Sequence, residues 1–297
     1  MSRFTTCGLT ILLAFAPAAL AVDGTVLINQ STITNGLTGC PTGGHFPIII
    51  CQSGSYRLSG NVTVPDANTD AIHINADNVT LDLNGFAILG PATCKSGTFS
   101  VQCSTTGNGV GIFSLHNNIG VSNGTISGMG SAGIRFLDET VAGTVARFDG
   151  LRVTNNAGVA PLSSPDSQFD KGQAGGGIIA SFAIISNCMV STNAQHGILA
   201  KGTANLNNVT FNGGFGILGD DSQLIASNNN VQQNGQDCIS DVGLAVNNIV
   251  QFNIGFGLSC HSPGSCGFEG NVFLFNNGGT VNNGTSMGHN FCNGTAC

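Results

Sequence analysis

A short internal repeat constrains the fold of this chain more than any other feature. A glycine followed by an aliphatic residue recurs along most of the sequence, and a cysteine takes the glycine position once. From Ile178 onward, successive aliphatic residues are 20, 19, 22 and 19 residues apart. The repeat is too short for a propeller blade of about 40 residues. The pairs are Gly111-Ile112, Gly133-Ile134, Gly177-Ile178, Gly197-Ile198, Gly216-Ile217, Cys238-Ile239 and Gly257-Leu258.

This period predicts a parallel β-helix, in which each repeat forms one coil and equivalent residues stack about 4.8 Å apart. Two aliphatic ladders should point inward, and stacked asparagine amides should hydrogen-bond from coil to coil at a turn. The first ladder comprises the aliphatic residues of the pairs above. The second comprises Val190, Val209, Val231, Val250 and Phe273, and the asparagine ladder comprises Asn193, Asn212, Asn234, Asn253 and Asn276.

The segment from Asn78 to Phe86 reads NVTLDLNGF and precedes the Gly-Ile repeats. Together they resemble the secreted bacterial right-handed parallel β-helix repeat proteins of the pectate-lyase-like superfamily, over roughly residues 55–291. The resemblance implies an all-β fold, a right-handed parallel β-helix of about ten coils of 19–24 residues with capped ends. It implies no single function, because the superfamily contains lyases, hydrolases, epimerases, phage tailspikes and adhesins.

The chain divides into a leader, a repeat region and two end segments. Arg3, an apolar run and an Ala-x-Ala pattern at residues 19–21 predict a secretory signal peptide, so we expect a secreted or cell-surface protein. No later segment is long and apolar enough to span a membrane. The predicted segments are a signal peptide 1–21, an N-terminal cap 22–55, a β-helix 56–278 with inserted loops 91–107 and 157–174, and a closing segment 279–297.

Ten cysteines follow the predicted leader, and an even count in an exported chain suggests disulfides. Close spacing favours four pairs and leaves Cys188 and Cys238 as the remaining two. The spacing fits no zinc site, and we assign no metal to the cysteines. The favoured pairs are Cys40–Cys51, Cys94–Cys103, Cys260–Cys266 and Cys292–Cys297.

Charge is scarce, which excludes several classes of protein. Only 8% of residues are charged, against about 25% in ordinary domains. The formal net charge is -7 with eight basic residues, so nucleic-acid binding is not expected. The chain has 44 glycines and 33 asparagines, which favour turns over helices. This composition fits a turn-dense β protein.

Residues that follow the inward aliphatic positions should point outward, because side chains alternate along a strand. Three of them would form an apolar stripe on adjacent coils. The inserted loop 157–174 could cover this stripe, or a partner or second subunit could bind it. The predicted outward binding surface comprises Phe113, Arg135, Ile179, Leu199 and Leu218, of which the last three form the stripe.

A group of charged residues at strand ends is the candidate for chemistry. Asp220 and Asp221 follow one strand, Asp241 follows the next, and Lys201 and His261 lie on flanking coils. Stacked carboxylates repel one another unless a cation neutralises them, so the group could perform acid–base chemistry or bind Ca²⁺. Solvated turn residues are the alternative interpretation.

The sequence therefore predicts an exported, noncatalytic β-helix scaffold that binds carbohydrate or acts as an adhesin, with a polysaccharide or cell-surface glycan as its partner. No cofactor is required by this hypothesis, and no catalytic motif of known spacing occurs. The alternative is a polysaccharide lyase or glycoside hydrolase of the same superfamily.

Overall fold

The repeats form successive coils of a parallel β-helix in the computed structural model, which describes residues 24–40, 44–97, 100–137, 146–158 and 175–297. About ten turns stack with their strands in register, and helix is confined to Thr32–Asn35 in the described part. The predicted all-β fold class is confirmed. None of the described helices is long and apolar enough to cross a membrane.

Each coil contributes strands to three faces, which we number in chain order from the Gly-Ile strand. Several long strands pass round a corner and belong to two faces, so the sheet is continuous around the core. Face 1 consists of Ile48–Ile50, Ile72–Ile74, Ile112–Ser114, Ala132–Phe136, the first parts of Gly176–Ser186, His196–Asn205 and Ile217–Ser227, then Ile239–Ser240, Phe256–Ser259 and Gly279–Asn282.

Faces 2 and 3 complete each coil. Face 2 consists of Val26–Ile28, Gly54–Leu58, Val79–Asp82, the first parts of Ile119–Ser127 and Ala146–Thr154, the second parts of the three long face 1 strands, then Leu244–Val246, Gly267–Glu269 and Thr285–Gly288. Face 3 consists of Val62–Thr63, Ala87–Leu89, the second parts of Ile119–Ser127 and Ala146–Thr154, then Met189–Ser191, Asn208–Thr210, Asn230–Gln232, Ile249–Gln251, Val272–Leu274 and Phe291–Cys292.

The core is built from the predicted ladders. Ile112 pairs with Ile134, and the same register continues coil by coil to Leu258, with every member at most 2% exposed. The second aliphatic ladder is likewise in register and fully buried from Val190 to Phe273. Burial of each aliphatic side chain contributes roughly 1.5–3 kcal/mol, so stacked coils are stable where a single coil would not be.

Two asparagine ladders, rather than one, hold the turns. In the predicted ladder, Asn193 Nδ2 donates to Asn212 Oδ1 over 2.9 Å, and the pattern repeats to Asn276. A second ladder lies at the corner between faces 2 and 3 and comprises Asn207, Asn229, Asn248, Asn271 and Asn290. Each amide also donates to or accepts from the backbone, so these buried polar groups are satisfied.

Strand pairing extends into both predicted end segments. Val26–Ile28 pairs with Gly54–Leu58, so stacking begins well before residue 56. At the other end, parallel pairing continues to Phe291–Cys292, and Thr295–Ala296 folds back antiparallel. The predicted signal peptide lies outside the described residues.

The insertion 91–107 forms an antiparallel hairpin of Thr93–Ser96 and Val101–Ser104. It lies between a face 3 strand and a face 1 strand, at the corner that precedes the Gly-Ile positions. The predicted loop 157–174 enters at the same corner after Ala146–Thr154, but residues 159–174 lie outside the described residues.

The four closely spaced cysteine pairs are disulfide-bonded as predicted. The inclusion of Cys188 and Cys238 among the disulfide cysteines is wrong, because both are free and buried. The two cysteines occupy different positions of the repeat. Cys188 lies one coil before Asn207, in line with the second asparagine ladder, and its backbone N–H donates to Asn207 Oδ1. Cys238 takes the glycine position before Ile239. Burial raises the pKa of Cys188 to about 12, so its thiol stays protonated.

Candidate functional site

Lys201, Asp220 and Asp221 form an ion-pair cluster at the corner between faces 1 and 2. Lys201 Nζ lies 3.0 Å from Asp220 Oδ2 and 3.4 Å from Asp221 Oδ2. Asp220 is buried, whereas Asp221 is exposed and its backbone adopts a φ of 53°. The corner needs left-handed residues to turn from one face to the next, and aspartate tolerates that conformation better than most side chains.

The electrostatics of this cluster disfavour Lys201 as a base. Burial lowers the pKa of Lys201, but hydrogen bonds and charge from Asp220 and Asp221 outweigh burial and raise this pKa above its ordinary value. An ammonium group held by two carboxylates keeps its proton. Lys201 therefore neutralises the stacked aspartates and is poorly suited to abstract a proton from a substrate.

Asp241 and His261 continue the same corner on the next coils. Burial raises the pKa of Asp241, the charge of His261 lowers it, and the charges of Asp237 and Asp220 raise it further. The five predicted residues thus follow one corner over four successive coils, and ion pairs join Lys201, Asp220 and Asp221.

Asp237 is a member of this neighbourhood that the sequence analysis missed. It lies at the opposite end of the short strand Ile239–Ser240 from Asp241. Its Oδ1 accepts the backbone N–H of Phe256 over 2.7 Å, and burial raises its pKa. The preceding coils carry His196 and Phe215 at this repeat position. The change to a carboxylate at this position was the sequence signal that could have identified Asp237.

A second polar group lies on the first half of face 1. His73 Nε2 is 2.7 Å from Asp70 Oδ2, and Asp70 Oδ1 accepts the backbone N–H of Val110. The ring of Phe113 lies 5.1 Å from that of His73. Arg135 follows Phe113 in register; burial lowers its pKa, and the charge of Asp70 opposes that shift. Phe113 thus packs on the histidine of an Asp–His pair that the sequence analysis did not predict, and Arg135 lies one coil beyond Phe113.

The predicted apolar stripe does not form an exposed surface. Ile179, Leu199 and Leu218 stack in register on the outer side of face 1, but each is at most 1% exposed. They form a second hydrophobic cluster outside the coil core, together with Val110 and Ala132. The sequence analysis expected either the loop 157–174 or a partner to cover this stripe. The stripe is buried within the chain, and residues 159–174 of that loop lie outside the described residues.

A polar groove of about 490 Å³ lies on the outer side of face 2. Gly120 stands in register between Thr80 and Arg147 and has no side chain to fill the space between them. A Cβ atom placed on Gly120 would be 3.8 Å from the nearest atoms, both on Thr80. The remaining lining residues are Asn78, Asn118, Ile119, Val121, Ser122, Asp149 and Ile184.

Within the described ranges, no three His, Cys, Asp or Glu side chains are grouped so that they could hold a metal ion. The Ca²⁺ site at the Asp220 corner stays a prediction. The basic Lys201 occupies the position between Asp220 and Asp221 where a cation would otherwise balance their charge.

Comparison with known proteins adds little to this geometry. No protein-family model matches the chain, and no curated protein matches it. Among solved structures, the crystal structure of Dettilon tailspike protein (gp208) is similar, with 18% sequence identity and a TM-score of 0.40. The match covers 80% of this chain and 51% of the tailspike chain, so this chain spans about half of that protein.

Proposed function

We propose that this protein is an exported, noncatalytic scaffold that binds carbohydrate in the face 2 groove at Gly120. The predicted leader and the four disulfides support an extracellular setting. The rigid β-helix supports the groove on strands rather than on loops, which favours a binding site with fixed geometry.

The observation that carries the proposal is the convergence of short polar side chains on a gap in the sheet surface. Asn118 Nδ2 donates to Asn78 Oδ1 over 2.8 Å, which orients both amides at the groove wall. Amides and hydroxyls supply donors and acceptors together, as the hydroxyl groups of a saccharide require. The volume lies within the range of about 300–1,000 Å³ that is usual for ligand pockets.

The charges of the groove are balanced. Asp149 accepts hydrogen bonds from Ser186 Oγ at 2.7 Å and Asn187 Nδ2 at 2.8 Å, and these bonds lower its pKa. Its carboxylate therefore stays ionised beside the exposed guanidinium of Arg147. One cation and one anion favour a neutral glycan over a strongly acidic polymer.

Filling the groove tests the proposal. The Gly120→Gln variant should keep the fold, because the glycine has an ordinary φ and open space above it. We expect it to lose at least about tenfold in affinity for a glycan found by array screening. The matched control is Ile225→Gln, which changes an exposed residue of the same outward ladder outside the groove. Retention of full affinity by Gly120→Gln, or failure of the wild-type chain to bind any polysaccharide, would refute the proposal.

A second candidate function is favoured by the carboxylates of Asp237 and Asp241. Both have raised pKa values and flank Ser240 on face 1, an arrangement suited to general acid–base cleavage of a polysaccharide. Product release from uronate and neutral glycans, with and without Ca²⁺, tests this function. The double variant Asp237→Asn, Asp241→Asn should abolish release, whereas full activity in that variant would exclude these residues.

A further inference from the structure

A second polar groove, of about 480 Å³, lies on the outer side of face 2 next to the groove at Gly120. Ser55 in its lining is the strand-register partner of Thr80, which lines the groove at Gly120. The two grooves therefore meet on adjacent coils. The other lining residues of the second groove are Gly24, Thr25, Val26, Gln52, Ser53, Gly54 and Tyr56.

One outward ladder of face 2 forms the floor of both grooves. Thr25 Oγ1 lies 3.5 Å from Ser55 Oγ. Thr80, Gly120 and Arg147 follow in register, each one coil further on. Beyond them the ladder becomes mainly apolar, with Ile184, Thr203, Ile225 and Leu244. We call the two grooves, with this floor from Thr25 to Arg147, the face 2 furrow.

The walls of the face 2 furrow are ordered by hydrogen bonds within the chain. At the corner between faces 1 and 2, Ser53 Oγ donates to the backbone carbonyl of Asp77 over 2.6 Å. The paired asparagine amides of the groove at Gly120 continue this wall on the next coils. On the opposite wall, two positions along the strands from the floor, Arg57 Nε donates to Asp82 Oδ2 over 3.1 Å. Ordered walls reduce the conformational entropy that binding would otherwise cost.

Each cationic side chain of the floor and the opposite wall has an anionic neighbour. Arg57 pairs with Asp82, and Arg147 lies beside Asp149, whose pKa its charge helps to lower. Because these charges balance locally, the furrow does not favour a ligand of one sign. The hydroxyl and amide groups between them both donate and accept hydrogen bonds, as the hydroxyl groups of a neutral saccharide require.

We propose that the face 2 furrow binds one continuous chain of a neutral, linear polysaccharide, laid along the axis of the β-helix with about one sugar per coil. This inference rests on the proposed function, because it extends the carbohydrate site at Gly120 into the second groove.

The dimensions of the furrow support this orientation. From Thr25 to Arg147 the floor crosses four coil-to-coil steps of about 4.8 Å, so the furrow is about 19 Å long. A pyranose unit in an extended chain spans close to one such step. Hydroxyl groups of successive sugars can therefore meet equivalent side chains of successive coils. The furrow should select a chain of about five sugars over a disaccharide.

The length dependence of binding tests the proposal, measured by calorimetry with the full chain. The probes are disaccharides to heptasaccharides of cellulose, mannan and xylan, with oligogalacturonates of the same lengths as acidic controls. We expect affinity for a neutral series to rise at least about tenfold from disaccharide to pentasaccharide and then to level off. Equal affinity for these two lengths, or tighter binding of the oligogalacturonates, would overturn this inference and leave the carbohydrate site at Gly120 standing. Absence of binding at every length would overturn both.

Filling the second groove separates its contribution from that of the groove at Gly120. In Ser55→Gln, a longer side chain at an exposed position occupies the furrow. Affinity for the pentasaccharide should fall at least about tenfold, towards that for the disaccharide, whereas affinity for the disaccharide should not change. Thr25→Gln fills the same groove from the neighbouring coil and should have the same effect, so the test does not depend on the folding of one variant.

The matched control is Thr285→Gln. Thr285 is also an exposed hydroxyl residue of this outward ladder, but it lies on the last strand of face 2, outside both grooves. The control variant should bind the disaccharide and the pentasaccharide as the wild type does. Full affinity for the pentasaccharide in both Ser55→Gln and Thr25→Gln would overturn the inference.

Discussion

The inner and outer ladders of this β-helix follow different rules. Inside, one residue type repeats on successive coils, as in the run from Ile178 to Ile239 and the asparagines from Asn193 to Asn276. Outside, along the same strands of face 1, the register joins His73, Phe113, Arg135 and Ile179, four side chains of different chemistry. Repetition is thus confined to one side of each strand.

Packing explains the difference. An inward residue contacts its equivalents one coil above and below, so a change of size or polarity disturbs three coils at once. An outward residue meets solvent, a loop or a partner, and adjacent coils can differ. The interior therefore sets stability, whereas the exterior sets function. The predictions below test this division, beginning with the largest effect.

Removing an inner asparagine should be the most damaging change. In Asn234→Ala, the backbone N–H and side-chain amide of Asn212 lose their shared acceptor, Asn234 Oδ1. We expect a loss of about 4 kcal/mol in the free energy of unfolding, measured by urea denaturation. Asn230→Ala, on the outer side of the neighbouring strand, should cost less than about 1 kcal/mol. Equal losses in the two variants would remove the distinction between inner and outer ladders.

The stripe of Ile179, Leu199 and Leu218 is an exception to the division between inward and outward residues, because it points outward and is buried. Leu199 points outward, yet it is as fully buried as its inward neighbour Ile198. Both Leu199→Ala and Ile198→Ala should therefore cost about 3 kcal/mol, because each leaves a cavity. A loss below about 0.5 kcal/mol for Leu199→Ala alone would mean that the stripe is exposed in solution.

The stability of the folded chain should depend on pH through the buried side chain of His196. Burial lowers its pKa to about 4 from an ordinary 6.5, and its Nδ1 accepts the backbone N–H of Phe215. The unfolded chain binds a proton that the folded chain rejects, so stability is complete above pH 6.5 and is lost as pH falls towards 4. By about pH 5 the loss amounts to about 2 kcal/mol. His196→Gln should flatten this part of a stability–pH profile; an unchanged slope would assign it to other groups.

The variant with the smallest expected effect, Phe252→Asn, should increase stability rather than reduce it. Phe252→Asn relieves a left-handed phenylalanine at an exposed corner, so it should stabilise the folded chain by up to about 1 kcal/mol. Thermal melting measures this gain. A destabilised variant would show that the ring of Phe252, which stacks on Phe275, contributes to the fold.

The sequence predicted the positions of those residues that repeat from coil to coil. Ile198 and Asn212 were predictable because the register forces equivalents into contact, and a fixed period reveals them. For Leu199 the sequence predicted the outward direction but left open whether a loop or a partner covers it, and the structure shows that it is buried within the chain. Asp237 and Asp70 were missed because each departs from the repeat at one coil only. The groove at Gly120 depends on a missing side chain between two larger ones, which only the strand register shows.

The asparagine ladders also give the solenoid a direction. In both ladders every side-chain amide donates to the Oδ1 of the following coil, from Asn193 towards Asn276 and from Asn207 towards Asn290. The amide dipoles therefore align along the axis and polarise one another, much as peptide dipoles add up in an α-helix. A duplicated coil that carries both asparagines would extend these arrays without interruption. A coil that lacks them would divide each array into two shorter and weaker dipoles.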